Sequence, residues 1–146
     1  MSTINKNVIT LPEQEPQFRM IDVGRKRVTR RRAIAVGSIL VGPVAFQKIR
    51  DKTLPKGDVL SLAEVAGITG AKKTPDLLPM CHTLPLDQVT IHTVLREPDA
   101  VDVYCQAVAH AKTGVEMEAI MGVQAALSTI WDLEGAVPQL SARAAA

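Results

Sequence analysis

Aromatic residues are nearly absent: one Trp, one Tyr and two Phe make up 3% of the 146 residues. That scarcity argues against recognition of single-stranded nucleic acid by base stacking. It also leaves the core to Val, Ile, Leu, Ala and Met. Cysteine is rare too. Cys81 and Cys105 form neither a metal-ligand spacing nor a disulfide framework. The formal net charge of +2 is too small to imply a polyanionic partner. No apolar run is long enough to cross a bilayer, and the chain opens on no secretory leader. A reducing cytoplasm is therefore the expected location.

What is present is ample apolar material, 47% of the chain, in a length that suits one compact domain with a real core. Residues 1–17 are polar, with Pro12 and Pro16, and read as a loose arm. Residues 18–23 look extended. Residues 28–41 are rich in β-branched side chains and predict a strand. Pro43 opens a short helix over 44–50. Asp58 is placed to cap a second helix, in which Val59, Leu62, Ala63 and Ala66 follow the helical period until Lys73, before Pro75. Residues 76–86, with Pro79 and Pro85, read as an irregular connection. Val89, Ile91, Thr93 and Leu95 then share one face of a strand. Val101, Val103, Cys105, Ala107 and Ala109 share one face of the next. Glu97-Pro98-Asp99 is a suitable turn between them. Gly114 precedes a third helix over 115–133, and the tail from Glu134 shows no pattern. The order of elements predicts an α+β fold without repeats or a second domain.

Four segments can carry chemistry. The histidine of Pro79-Met80-Cys81-His82-Thr83-Leu84-Pro85-Leu86 sits in a proline-bracketed loop, where it can meet a phosphate or move a proton. Its plain alternative is a satisfied loop histidine, and Cys81 is as readily a packing residue as a nucleophile. Lys56-Gly57-Asp58 places a lysine at a helix N-terminus, where anions are favoured. Lys72 and Lys73, at the other end of that helix, need no reason beyond the dipole. Glu116 and Glu118 open the last helix. They lie two apart and so should not share a pocket. Asp132, at its far end, runs against the dipole's preference, a local conflict that points to function. Six of the eight residues from Arg25 to Arg32 are cationic. Such a run suits nucleic acid or another phosphate ligand. No recognition helix accompanies it, however, so a charged edge strand is the reading preferred over nucleic-acid binding.

Together these motifs resemble the MoaC family, the cyclic pyranopterin monophosphate synthases of molybdenum cofactor biosynthesis. Met20-Ile21-Asp22-Val23 is similar to an early Met-Val-Asp-Val signature. Lys56-Gly57-Asp58-Val59, Ala66-Gly67-Ile68 and Ala71-Lys72-Lys73-Thr74 follow in order. Met80-Cys81-His82-Thr83-Leu84-Pro85-Leu86 resembles Leu-Cys-His-Pro-Leu-Pro-Leu. Thr113-Gly114-Val115-Glu116-Met117-Glu118-Ala119 matches without change, and Ile130-Trp131-Asp132 resembles the end of the long family helix.

The resemblance implies a ferredoxin-like antiparallel sheet packed against helices, spanning residues 18–133 between the arm and a divergent tail, 134–146. It implies a cytoplasmic homo-oligomer, a hexamer formed as a trimer of dimers, with the active site between subunits. The implied activity is that of a lyase converting (8S)-3′,8-cyclo-7,8-dihydroguanosine 5′-triphosphate to cyclic pyranopterin monophosphate with release of pyrophosphate. Asp132 and Lys56 would be catalytic. Met80, Cys81, His82, Met117, Glu118, Glu116, Lys72 and Arg31 would bind substrate. The sequence asks for no metal or other cofactor, although Mg2+ can accompany the triphosphate. Neither nucleic acid nor membrane is an expected partner. Two departures stand out. Gly135 occupies the place of a family lysine three residues after the aspartate. Pro138 and an alanine-rich tail stand where the family has a terminal strand. The alternative these departures suggest is a non-catalytic relative, or a fusion fragment, that binds a phosphorylated ligand or a partner subunit.

Overall fold

The computed structural model describes residues 9–134 and the backbone of residues 143–145. β1 spans Thr29–Leu40, followed by α1 (Pro43–Arg50), α2 (Val59–Lys72) and the one-turn α3 (Thr74–Leu77). The chain returns through β2 (Leu86–Arg96) and β3 (Ala100–Ala111), continues in α4 (Glu116–Glu134) and closes on β4 (Arg143–Ala145). The sheet order is β2-β3-β1-β4 and every pairing is antiparallel. With helices between β1 and β2 and between β3 and β4, this is the expected ferredoxin-like α+β arrangement.

β3 is one of the two interior strands, and its inward side chains are small and apolar. Val101, Val103, Cys105, Ala107 and Ala109 are all fully buried, which confirms the period-two face read from sequence. Small side chains on β3 let α4 come close. A Cβ on Gly122 of α4 would stand 2.5 Å from the Cys105 Sγ. Helices α2 and α4 approach each other in the same way: a Cβ on Gly70 would stand 2.5 Å from the Ala125 Cβ and 2.9 Å from the Met121 carbonyl oxygen. Phe46, Ala45 and Ile49 of α1 complete the core. The other face of the sheet is open and carries exposed Ile34, Val36, Val94 and Tyr104.

Two expectations need correction. The helix ends before Pro75 as expected, but the connection over 76–86 is not wholly irregular, because Asp76 and Leu77 belong to α3, with Pro75 in its first turn. A proline costs nothing there, since the first N–H groups of a helix have no intrahelical partner. The tail is not without structure. Glu134 is the last residue of α4, and Arg143–Ala145 pairs with β1 in the register Ser38↔Ala145 to Leu40↔Arg143. That pairing is set by the edge of β1, which offers unpaired backbone groups to any extended segment, rather than by strand propensity in Arg-Ala-Ala. A short strand therefore does occupy the edge that the family resemblance left in question. Gly135 and Pro138, the two departures that prompted the question, lie outside the described residues.

Candidate functional site

Local chain chemistry places each functional side chain. Gly57 has φ +104°, a conformation that favours glycine. With its N–H donating to the Leu54 carbonyl at 3.1 Å, it turns the chain from Lys56 into α2. Asp58 caps that helix as expected. Its carboxylate accepts from the Ser61 N–H at 3.3 Å and from the Ser61 hydroxyl at 2.9 Å, and these bonds hold its pKa below the usual carboxylate range. The capped turn projects Lys56 across to α4. There its Nζ donates to the Asp132 carbonyl oxygen at 3.1 Å and lies 3.8 Å from the Asp132 carboxylate. The last turn of α4 has no basic residue of its own, so Lys56 also supplies the cation that a helix C-terminus favours.

A cavity of about 360 Å³ lies at the opposite end of α4. The 80–84 loop and the start of α4 form its walls, with Met80, Cys81, His82, Glu116, Met117 and Glu118 among them. The irregular segment before β1 closes it with Arg19, Ile21, Val23 and Lys26. Six of the residues named by resemblance are thus gathered in one place. Glu116 and Glu118 both line the cavity, contrary to the expectation from their spacing. The cavity wraps around the first turn of the helix, and the Glu116 carboxylate folds back against Gly114. Only Glu118 is buried, at 3% exposure, and neither of its carboxylate oxygens has a hydrogen-bond partner among the described residues.

The electrostatics follow from that burial. Desolvation raises the Glu118 pKa, and the nearby Glu116 carboxylate adds to the rise. Cys81 is also raised, by desolvation first and by Glu118 second. A thiol whose pKa is raised is less often the thiolate that attacks, which favours packing and contact as the roles of Cys81. The His82 Nε2 lies 2.6 Å from the Ile21 carbonyl oxygen. A carbonyl only accepts, so Nε2 carries the hydrogen and Nδ1 is left for other work.

Two of the substrate-binding residues named by resemblance lie outside this cavity. Lys72 lines a separate groove of about 320 Å³ with Ile68, Leu86, Asp87, Gln88 and Val89, which adjoins the cavity through Leu84. Arg31 donates from Nη2 to the Lys112 carbonyl at 3.3 Å, while its buried Nε has no partner among the described residues. The Lys56–Asp132 pair also stands apart. Fourteen residues separate Glu118 from Asp132, about 21 Å along the helix axis. Sequence reasoning did not assign Arg19, Ile21, Val23 or Lys26 to a site. Ile21 and Val23 stood in a recognised motif, and Lys26 was hidden in the basic run. No cluster of three or more His, Cys, Asp or Glu suited to a metal occurs among the described residues, and no helix among them is long and apolar enough to cross a membrane.

The geometry can be set beside known proteins. The chain is 46% identical over 123 residues to the probable cyclic pyranopterin monophosphate synthase of Pyrococcus abyssi, covering 84% of this chain and 77% of that one. It is 41% identical over 132 residues to the cyclic pyranopterin monophosphate synthase of Streptomyces griseus, covering 90% and 74%. It is 49% identical over 115 residues to the molybdenum cofactor biosynthesis bifunctional protein of Synechococcus elongatus, covering 78% of this chain and 36% of that one. The MoaC family model matches residues 20–141, which takes in β1 through α4, the Lys56–Asp132 pair and all of the cavity lining but Arg19. On that match and those identities, the chain belongs to the MoaC family.

Proposed function

We propose that the chain is a cyclic pyranopterin monophosphate synthase. It would convert the cyclic triphosphate derived from GTP to cyclic pyranopterin monophosphate and release pyrophosphate. The observation that carries this reading is the cavity in which Met80, Cys81, His82, Glu116, Met117 and Glu118 meet. It pairs a half-apolar floor with carboxylates and an imidazole, the kind of lining that orients a polar heterocycle. Lys56 and Asp132 are the acid/base pair of the reaction, one a fixed cation and the other a proton carrier. Mg2+ is carried in with the triphosphate rather than held by a cage of protein ligands.

The two halves of this machinery are about 21 Å apart along one helix, so one substrate molecule cannot reach both within a chain. The proposal therefore includes an active site shared between subunits of a hexamer, arranged as a trimer of dimers in the cytoplasm. The apolar sheet face with Ile34, Val36, Val94 and Tyr104 exposed supports self-association. Lys72 and Arg31, outside the cavity in one chain, would serve the same substrate from the assembled interface. The test is incubation of the purified chain with the cyclic triphosphate, followed by analysis for cyclic pyranopterin monophosphate and pyrophosphate. Absence of both products, with substrate consumed by a control synthase, would reject the reading in favour of a non-catalytic relative.

A further inference from the structure

The segment before β1 supplies the cavity with a cation that the family motifs did not single out. We propose that Lys26 is a substrate-binding residue that contacts the anionic part of the ligand, and that Lys112 is the positioning residue that keeps it there. The inference rests on the functional reading above for the identity of the ligand.

Charge balance motivates it. Glu116 and Glu118 place two carboxyl groups in the cavity wall, while the substrate is itself an anion. Two cations from the segment line the same space, Arg19 and Lys26. Arg19 is engaged, its Nη1 donating to the Glu15 carboxylate at 3.1 Å. The Lys26 ammonium has no ion-pair or hydrogen-bond partner among the described residues. Its neighbours Arg25 and Arg27 do not line the cavity, so the basic run is not one undifferentiated solvated face. One of its members is turned toward the site.

The backbone shows how that position is kept. The Lys26 N–H donates to the Val23 carbonyl at 3.0 Å, and the Gly24 N–H donates to the Asp22 carboxylate at 2.7 Å. The turn so formed is attached to the body of the domain at Gly24, whose carbonyl accepts from the Lys112 Nζ at 3.2 Å. Lys112 follows the last residue of β3, and its own carbonyl accepts from Arg31 at 3.3 Å. On the other side, the Ile21 carbonyl accepts from His82. The segment is thus pinned at two points just before Lys26, at Ile21 and at Gly24, and only the Lys112 pin can be removed without touching a residue already assigned to the substrate.

The experiment measures the dissociation constant of the cyclic triphosphate by calorimetry. The chains compared are the native one, Lys26→Gln, Arg25→Gln, Lys112→Ala, Lys112→Arg and the Lys26→Gln/Lys112→Ala double variant, with thermal unfolding followed for each. Lys26→Gln should weaken binding about tenfold, as expected for loss of one charge-assisted contact. Arg25→Gln, which removes the same charge, should stay within about twofold. Lys112→Ala should weaken binding about threefold, Lys112→Arg should retain it, and the double variant should bind no worse than Lys26→Gln alone, since both changes act on one contact. Equal losses for Arg25→Gln and Lys26→Gln would reduce the effect to net charge and overturn the assignment of Lys26. Undiminished binding by Lys26→Gln would overturn it while leaving the functional reading intact. Additive losses in the double variant would overturn the positioning role of Lys112. Failure of the native chain to bind the triphosphate at all would overturn both this inference and the functional reading.

Discussion

Lys56 and Asp132, 76 residues apart in sequence, meet with the lysine Nζ 3.1 Å from the aspartate's backbone carbonyl and 3.8 Å from its carboxylate. The contact is open to solvent on both sides, with the side chains 47% and 78% exposed. An ion pair so exposed is worth about 0–1 kcal/mol to the fold. Activity and stability should therefore separate cleanly. Lys56→Ala and Asp132→Asn should each lower product formation by roughly 10²–10⁴-fold, with stability altered by no more than about 1 kcal/mol in denaturant titration. Either variant turning over at the native rate while folded removes that residue from the mechanism.

Glu134 ends α4 fully buried, its carboxylate oxygens without a partner among the described residues, and burial pushes its pKa up to about 7. The folded state then holds a proton that the unfolded chain releases near the ordinary carboxylate value. Stability from this group is present below about pH 4.5 and is lost as pH rises to about 7. Glu134→Gln should remove that part of the pH dependence and stabilise the protein above pH 7, by roughly 3 kcal/mol at most. Chemical denaturation of both chains at pH 5 and pH 8 checks the sign. A variant less stable than native at pH 8 contradicts it.

Gly70 belongs to the α2–α4 contact that brings Lys56 to Asp132. Alanine there gains about 1 kcal/mol of helix propensity, but its methyl would meet the Ala125 Cβ at 2.5 Å and the Met121 carbonyl at 2.9 Å. Backbone and a methyl group cannot move aside cheaply, and overpacking costs typically about 1–3 kcal/mol. Gly70→Ala should therefore lower the melting temperature despite the better helix former. It should also lower turnover, because separating the helices moves Lys56 from Asp132. A melting temperature at or above native contradicts the packing argument.

The sequence was most legible where one local rule governs. The Asp58 cap, the Glu97-Pro98-Asp99 turn and the buried face from Val101 to Ala109 each depend on neighbours in the chain, and each is found as read. It was least legible where distant backbone decides. The end of α2 before Pro75 was read correctly, but Asp76 and Leu77 were read as irregular, although a proline serves equally well in a first turn and here opens α3. β4 is drawn into place by the edge of β1, and nothing in Arg-Ala-Ala announces it. The site divides the same way. Met80 to His82 and Glu116 to Glu118 stand in motifs and meet in one cavity. Lys26 sits in an irregular segment with no periodicity, so the cavity it faces is visible only in the fold. The pairing of Glu116 with Glu118 failed as a two-residue helical argument because the cavity bends around the helix end.

The separation of about 21 Å between Glu118 and Asp132 along α4 has a direct consequence for assembly. Each half-site is intact in a chain that carries a lesion in the other. Asp132→Asn and His82→Ala should both be inactive alone, and mixed oligomers formed from the two should regain turnover, because some interfaces then combine two native halves. Light scattering should show an oligomer, a hexamer by the proposal. A stable monomer at micromolar concentration, or mixtures that stay inactive after proven subunit exchange, rejects the shared site.

Gly135 stands where the family resemblance places a lysine, immediately after the last residue of α4. Glycine provides neither charge nor a titratable group. The loss falls mainly on the chemical step if that lysine moves a proton or stabilises charge that develops as pyrophosphate leaves, because such contacts strengthen only in the transition state. Binding should suffer less, since on the proposed reading Lys56, Arg31 and His82 are still there to meet the phosphates. Gly135→Lys should accordingly raise kcat by roughly 10²–10³-fold while changing the dissociation constant of the cyclic triphosphate by no more than about tenfold. Both quantities are measured on the native chain and the variant, under single-turnover conditions so that product release does not mask the chemical step. A native chain already turning over at an ordinary enzyme rate, about 1 s⁻¹ or faster, would show that another group fills the lysine's role. Equal kcat in the two chains would show that position 135 does not reach the reacting phosphate.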